Sequence, residues 1–370
     1  MSFPTTNRQP SIDILRAIAI ALMVVVHFVE NLSGQLLESA TTNSGYFSLW
    51  LLPTGFAAPI FTFLSGTSHR IWLETQIKRG GDDEAINKST ARRGLFLIGL
   101  GFVFNVLVWF PEETFNWDVL TLIGISTLAI GLLRSSPDGV VLLAACLIAI
   151  LARPLQDVSG FSEYWTNGYY DPDTTLTDTI LGCLVNGYFP VFPWLAFPLA
   201  GYALGPTIFH PDSKTSAAKP LLLLAVVMML LSGLLQFAGQ SSGQKPWTMF
   251  PASPAFIAGT MGFVLLAIVT TRFLIDLFPG AWISAKVWVT TLSRHSLSIY
   301  LLHHIAHLWP LWLFGIWNGQ QPTEFWQNAT SPAISLGLAI VFIFAAAFLF
   351  RWIDQRKVPT METLMRWLCD

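Results

Sequence analysis

Long apolar runs separated by short polar segments dominate this chain. A helix that crosses the hydrocarbon core of a membrane needs about 20 mostly apolar residues. Ten segments approach that requirement and predict spanning helices at about residues 12–30, 49–69, 92–110, 118–133, 139–153, 188–208, 219–238, 254–275, 292–314 and 331–351. A further short interfacial or re-entrant helix is expected at 176–186. The pattern therefore predicts an all-α, polytopic integral membrane protein with a single membrane domain over residues 1–370.

The distribution of basic residues predicts how the helices are oriented. Cytoplasmic loops of membrane proteins are enriched in Lys and Arg. When the predicted loops are assigned alternately to the two sides, 18 of the 20 Lys and Arg residues fall on one side, and only Arg153 and Lys245 fall on the other. Both termini are therefore expected in the cytoplasm, and the number of spans is expected to be even. The expected location is the cell membrane, an inner or plasma membrane.

Composition narrows the range of functions. Apolar residues make up 53% of the 370 residues and charged residues only 11%, whereas soluble domains average about 25% charged residues. A broad basic surface for nucleic acid is therefore excluded, and the bilayer is the expected surroundings. The three cysteines have no CxxC spacing and are expected to be free thiols. The oligomeric state has no signature in the sequence.

Several ionisable side chains lie within the predicted spans. Each costs about 2.5–3.5 kcal/mol at the centre of a helix, so a functional reason is expected. His27 and Glu30 are three residues apart near the outer end of the first span, and Asp118 borders the fourth. On the ninth span a polar stripe at helical spacing consists of Ser296, Tyr300, His303 and His307, with His304 off the stripe.

The predicted cytoplasmic ends of the spans form a second polar group. Its candidate cofactor-binding residues are Asp13, Arg16, Arg70, Arg92, Arg93 and Arg294. Guanidinium groups bind phosphate well, so the group suits a phosphorylated cofactor. A role only as cytoplasmic membrane anchors is the alternative for its basic residues.

His27 is the first candidate for catalysis. The usual pKa of histidine suits general base work near neutrality, and Glu30 or Asp118 would orient the ring. A packing residue held by hydrogen bonds is the alternative. Arg16 and His27 are about 16 Å apart along a helix, a layout that suits a donor from the cytosol and an acceptor from outside. A metal site is not predicted, because the His303 and His307 pair has no HExxH pattern and no neighbouring carboxylate.

Several motifs resemble those of the transmembrane acyltransferases, above all the heparan-alpha-glucosaminide N-acetyltransferase-like branch. The segment from Arg8 to His27, with Asp13 and Arg16, is similar to the opening helix of that family. Further similar segments are Pro59–Gly66, Asp118–Gly124, Pro193–Gly205 and Ser296–His303, the last of which resembles a motif shared more widely among membrane acyltransferases.

The resemblance implies about ten helices, with acetyl-coenzyme A as the acyl donor on the cytosolic side. The implied acceptor is a sugar or glycan hydroxyl or amine beyond the membrane. The family's motif histidine corresponds to His27, and its aspartate and arginine correspond to Asp13 and Arg16.

Three hypotheses follow for the function. In the first, the chain is a membrane acyltransferase in which His27 deprotonates the acceptor or carries the acyl group transiently. His303 or Tyr300 would then donate to the thioester oxygen, while Arg16, Arg70 and Arg294 hold cofactor phosphates. The second is a transporter or exporter of a small polar metabolite, although the inverted repeats typical of transporters are not recognisable. The third is a structural membrane protein with idle catalytic groups.

Overall fold

The computed structural model describes residues 9–43, 55–109, 114–161, 175–209, 218–241, 247–319 and 329–370. The side chains of residues 35–43 lie outside that description. Helices account for most of these residues, and the described ranges contain no β-strand. The all-α prediction is therefore confirmed.

Fourteen α-helices are numbered here in chain order. They are α1 Pro10–Asn43, α2 Ala57–Lys78, α3 Asp83–Trp109, α4 Val119–Leu133, α5 Asp138–Val158, α6 Leu176–Leu181, α7 Val191–Trp194, α8 Ala196–Phe209, α9 Ala218–Ser241, α10 Pro254–Leu277, α11 Pro279–Arg294, α12 Ser296–Trp317, α13 Pro332–Arg356 and α14 Met361–Cys369. A π-helical turn, Gly182–Asn186, follows α6. The short helix expected at 176–186 is thus present as α6 and this turn.

Eight helical segments in the described ranges are long and apolar enough to cross a membrane. They are Pro10–Gly34, Asp83–Trp109, Asp138–Val158, Leu176–Phe209, Ala218–Gln240, Pro254–Leu277, Ser296–Trp317 and Pro332–Arg356. Each coincides with one of the ten predicted spans, so the chain is an integral, multi-pass membrane protein. The other two predicted spans correspond to α2 and to the 15-residue α4, although residues 49–54 lie outside the description. The total of ten stays a prediction.

The described chain divides into two compact units, the first of which comprises residues 1–61 and 270–364. In this unit α1 packs against α11, α12 and α13. His27 pairs with His303 and Asn31 pairs with His307, with the same separation in sequence, 276 residues. A constant separation means that α1 and α12 run parallel and in register.

The third helix of this packing runs in the opposite direction. Ser33 contacts Ser335 and Phe28 contacts Phe342, so the position on α13 falls as the position on α1 rises. These relative directions agree with the predicted topology, in which the first and ninth spans cross in one direction and the tenth crosses in the other.

The second unit comprises residues 62–269 and 365–370, and close contacts at glycines hold its helices together. A Cβ on Gly94 would lie 2.9 Å from the Gly124 carbonyl oxygen, and a Cβ on Gly66 would overlap the Pro198 carbonyl. Thr67 Oγ1 also donates to the Gly201 carbonyl over 3.0 Å. Small residues permit such close approach between membrane helices. The packing explains why Gly66, Gly124 and Gly201, which lie in the family-like motifs, are glycines.

Two helices in segments that are predicted to be cytoplasmic, α11 and α14, are not expected from the sequence. The ninth span was predicted to begin at residue 292, but α11 ends at Arg294 and α12 begins at Ser296. The break falls at His295, whose backbone (φ −102°, ψ 24°) is not helical. The second is α14, a nine-residue helix with exposed Leu364, Trp367 and Leu368. It is too short to give an apolar run of spanning length.

Candidate active site

Four histidines of the first unit come together on two parallel helices. His27 lies on α1, and α12 contributes His303, His304 and His307. The three α12 rings are buried, whereas His27 is partly exposed. The centroid of the His27 ring is 5.1 Å from that of His303 and 4.5 Å from that of His304.

Hydrogen bonds fix which nitrogen of each ring carries the proton. A neutral imidazole has one N–H donor and one lone-pair nitrogen. His303 Nδ1 contacts the Tyr300 carbonyl oxygen, which only accepts, so this nitrogen carries the proton and His303 Nε2 is the acceptor. His27 Nδ1, 2.8 Å from His303 Nε2, must then be the donor. The remaining nitrogen of His27, Nε2, therefore keeps its lone pair.

One helical turn further along α1 and α12, Asn31 and His307 make a similar set of hydrogen bonds. His307 Nδ1 donates to the His303 carbonyl over 2.6 Å, which leaves His307 Nε2 as an acceptor. The Asn31 side-chain Nδ2 donates to that nitrogen over 3.0 Å. The Phe28 ring packs against the His307 ring at a tilt of 43°, with 4.4 Å between the ring centroids. The orientations of the α12 rings are thus set by backbone carbonyls and by α1.

The other candidates that are predicted to lie at the outer end of this unit, Tyr300 and Glu30, have different environments. Tyr300 is buried, and its ring meets the His303 ring edge-on at 5.6 Å. Glu30 is exposed on α1. His303, which was predicted as a donor to the thioester oxygen, instead makes the direct hydrogen bond to His27 Nδ1, and the Tyr300 carbonyl contacts His303 Nδ1.

Asp118, the second predicted orienting carboxylate, belongs to the second unit. There it is the N-cap of α4, where its Oδ1 accepts from Leu120 N at 2.9 Å and from Thr121 N at 3.0 Å. Such a cap satisfies N–H groups that the first turn of a helix leaves unpaired. Its side chain thus has a clear structural role in its own helix.

The predicted cytoplasmic end of the first unit contains several buried or paired charges. Asp13 is buried near the start of α1 and accepts a 2.6 Å hydrogen bond from Ser293 Oγ of α11. Arg16 is half-buried. Arg294 is exposed, and its Nη1 lies 3.1 Å from Asp354 Oδ2.

A carboxylate of α14 binds the start of α12. Glu362 accepts from the Ser298 backbone N–H at 2.9 Å and from Ser298 Oγ at 2.7 Å. His295 Nδ1 is 3.7 Å from Glu362, and its Nε2 is 3.1 Å from Asp354. Burial by itself would raise the pKa of Glu362, but the nearby His295 ring and the hydrogen bonds from Ser298 outweigh burial and hold the pKa below its usual value.

The candidate arginines of the second unit are mostly paired with carboxylates. Arg70 donates to Glu74 at 3.0 Å and to Asp138 at 2.8 Å. Arg93 donates to both carboxylate oxygens of Asp370 and lies over the Trp72 ring, 4.1 Å from its centroid.

Arg92, the neighbour of Arg93, is exposed. Guanidinium groups suit the phosphates of coenzyme A chemically. A phosphate that binds Arg70, Arg93 or Arg294 would have to share the guanidinium group with its carboxylate partner or displace that partner.

Two residues of the histidine cluster were missed by the sequence reasoning. His304 was placed off the polar stripe, and Asn31 was not considered as part of the site. Adjacent residues on a helix differ in direction by about 100°, so His304 borders the stripe, and its place beside His27 depends on the α1–α12 packing. For Asn31 the available signal was its spacing of four residues from His27, which puts both on one face of α1.

The fold and the histidine cluster together define the general class of this protein. The chain is a multi-pass helical membrane protein with a histidine on its first span that is oriented by other buried groups. The family model described as heparan-alpha-glucosaminide N-acetyltransferase, catalytic, matches residues 8–233, more than half of the chain.

The chain therefore belongs to the heparan-alpha-glucosaminide N-acetyltransferase family, and it is an acyltransferase. No curated protein shows significant similarity to it. The matched range includes His27 but ends before α12, so the partners of His27 lie outside it.

Proposed function

We propose that the chain transfers an acetyl group from acetyl-coenzyme A on the cytoplasmic side to a sugar or glycan hydroxyl or amine on the other side. The observation that carries the proposal is the hydrogen bond from His27 Nδ1 to His303 Nε2. It leaves a lone pair on His27 Nε2 in a chain whose family is named for acetyl transfer. The proposed membrane is the cell membrane.

His27 Nε2 acts as the general base in this proposal. It takes the proton of the acceptor hydroxyl or amine while the acceptor atom forms a bond to the acyl carbonyl carbon. The carbon–sulfur bond then breaks, and the leaving thiolate takes up the proton. If His27 instead carries the acyl group transiently, the same lone pair attacks the thioester.

His303 serves as the positioning residue, since it holds the His27 ring in the tautomer that leaves Nε2 unprotonated. A base held by a second group that fixes its tautomer is a recurring device in acyl transfer. The proposal gives Tyr300 the role of hydrogen-bond donor to the thioester oxygen. That Glu30 or Asp118 also helps to orient the His27 ring stays a prediction.

The candidate cofactor-binding residues of the cytoplasmic end complete the proposal. They are Asp13, Arg16, Arg70, Arg92, Arg93 and Arg294. The arginines would bind donor phosphates by charge-assisted hydrogen bonds. Asp13 would fix the start of α1 through its bond to Ser293.

Sided transfer in proteoliposomes tests the proposal. Protein of known orientation is supplied with acetyl-coenzyme A only at its predicted cytoplasmic face and with an amino sugar only at the opposite face. We expect acetylated sugar to accumulate on the acceptor side. His27→Ala should reduce the rate about 10²–10⁴-fold, the usual contribution of a general base. An unchanged rate in His27→Ala would exclude the assigned base, and transport of intact acceptor without acetylation would favour the transporter.

A further inference from the structure

His27, His303 and His304 form a compact set of potential metal ligands. One nitrogen of each ring can be chosen so that all three lie within 4.8 Å of one another. Imidazole is a ligand that Zn²⁺, Cu²⁺ and Ni²⁺ accept well. Three histidines with an open fourth position form a known type of zinc site. The structure thus brings together a three-histidine ligand set that the spacing of His303 and His307 alone does not predict.

The distance between the ligand nitrogens of His27 and His303 is close to that in a metal complex, and the His304 nitrogen lies within 4.8 Å of the other two ligand atoms. Zinc–nitrogen bonds of about 2.0–2.1 Å in a tetrahedron put ligand nitrogens about 3.3 Å apart. His27 Nδ1 and His303 Nε2 are 2.8 Å apart, so the two rings need to separate by only about half an ångström. His27 is partly exposed, so protein does not enclose its ring completely, and water is the expected fourth ligand.

The surrounding hydrogen bonds already prepare one ligand. A metal-binding histidine usually donates its other ring N–H to a carbonyl or carboxylate, which fixes the ring and its tautomer. His303 Nδ1 donates in this way to the Tyr300 carbonyl. Its Nε2 lone pair therefore points at the place where the ion would lie.

We propose that this histidine cluster is an inhibitory site for a divalent transition-metal ion, with His27 Nδ1, His303 Nε2 and a His304 ring nitrogen as ligands. The ion replaces the shared N–H between His27 and His303. The proton on His27 Nδ1 moves to Nε2 of the same ring, so no proton is lost overall. The nitrogen that acts as the base then carries a proton, and acetyl transfer stops. This consequence rests on the proposed function, whereas the metal binding does not.

Zinc binding to the purified full chain in detergent tests the site without any acyl donor. We expect one Zn²⁺ per chain after removal of loosely bound ion. His304→Gln should weaken binding about tenfold or more, because it removes a ligand. His69→Gln is the matched control, since His69 is a half-buried histidine of the other unit, and it should bind as the unchanged protein does. Absence of stoichiometric zinc, or equal affinity in His304→Gln, would overturn the site.

Acetyl transfer measured with and without Zn²⁺ tests the consequence. We expect Zn²⁺ to inhibit the transfer and a chelator to reverse the inhibition. In His304→Gln the zinc concentration for half inhibition should rise by the same factor as the dissociation constant for zinc. Stoichiometric zinc without inhibition would overturn the inhibitory role. If protein treated with a chelator showed no acetyl transfer at all, the proposed function would fail. The zinc-binding measurement would still decide whether the metal site exists.

Discussion

At the scale of the residue, the tautomer of His27 depends on its hydrogen bond to His303. Its Nδ1 can donate to His303 only because the Tyr300 carbonyl occupies the other side of the His303 ring. The same ring on a lipid-facing surface would have no fixed tautomer. The orientation of the proposed base is therefore a property of α12 as much as of α1.

Substitution of His303 tests this dependence. His303→Leu removes the acceptor of the His27 N–H, and we expect kcat to lose a substantial part of the about 10²–10⁴-fold that a general base contributes. His303→Gln offers an amide oxygen to His27 and should restore most of the rate. The measurement is steady-state kinetics with acetyl-coenzyme A, whose KM should stay constant in both variants. Equal kcat in the two variants would show that His303 does not act through His27.

The sequence predicted part of this cluster for a clear physical reason. Steps of three and four residues put Tyr300, His303 and His307 on one face, because a helix turns once in 3.6 residues. The identity of the facing helix is not encoded in that periodicity. The pairing of His27 with His303, and the inclusion of His304, depend on contacts between residues far apart in sequence, which one sequence does not reveal.

At the scale of the element, α14 holds the first turn of α12 through Glu362. The N–H groups of a first helical turn lack partners within the helix, and Glu362 accepts from that of Ser298. Negative charge is also favourable at a helix N-terminus. The sequence did not predict this contact, since Glu362 and Ser298 are 64 residues apart and α14 carries no long apolar run.

Glu362→Gln should destabilise the protein relative to the unchanged chain at neutral pH. The destabilisation should be smaller in acid. The lowered pKa of Glu362 in the folded protein means that its stabilisation is fully present above the unfolded pKa of about 4.3 and is lost as the pH falls through the folded pKa. Hydrogen bonds to charged groups contribute about 1.5–3 kcal/mol. Thermal unfolding in detergent at pH 7 should show a lower Tm for the variant, and the difference should shrink in acid.

Glu84→Gln is the matched control for this measurement. Glu84 is an exposed glutamate that pairs with Lys88 four residues later on the same helix, and such surface pairs contribute little. A Tm difference at pH 7 as small for Glu362→Gln as for Glu84→Gln would contradict the stabilising role of Glu362.

At the scale of the whole molecule, most candidate phosphate-binding arginines are already matched by acidic partners. Arg70, Arg93 and Arg294 each contact an aspartate, Asp138, Asp370 and Asp354 respectively. The sequence predicted the concentration of positive charge at one side from the Lys and Arg count. It did not predict the carboxylates that pair with it, because ion pairs such as Arg93–Asp370 join residues 277 positions apart.

Removal of one such carboxylate should improve donor binding. Asp370→Asn leaves Arg93 with weaker competition for a phosphate, so we expect the KM for acetyl-coenzyme A to fall by up to about fivefold. Ion pairs near the surface contribute about 0.2–1 kcal/mol, which sets this range. Asp83→Asn is the control, because Asp83 pairs at 3.0 Å with Arg134, which is not a candidate for donor binding. A KM that rises in Asp370→Asn would contradict the assignment of Arg93.

The central claim is that His27 has a proton on Nδ1 and a lone pair on Nε2. Nitrogen NMR of isotopically labelled histidine, in protein from which a chelator has removed metal ions, tests it most directly. The signals of His27 are identified by their loss in His27→Asn, a variant whose amide can still donate to His303. We predict that at neutral pH His27 has a protonated Nδ1 and an unprotonated Nε2. A protonated Nε2 beside an unprotonated Nδ1, or a ring protonated on both nitrogens, would contradict the account.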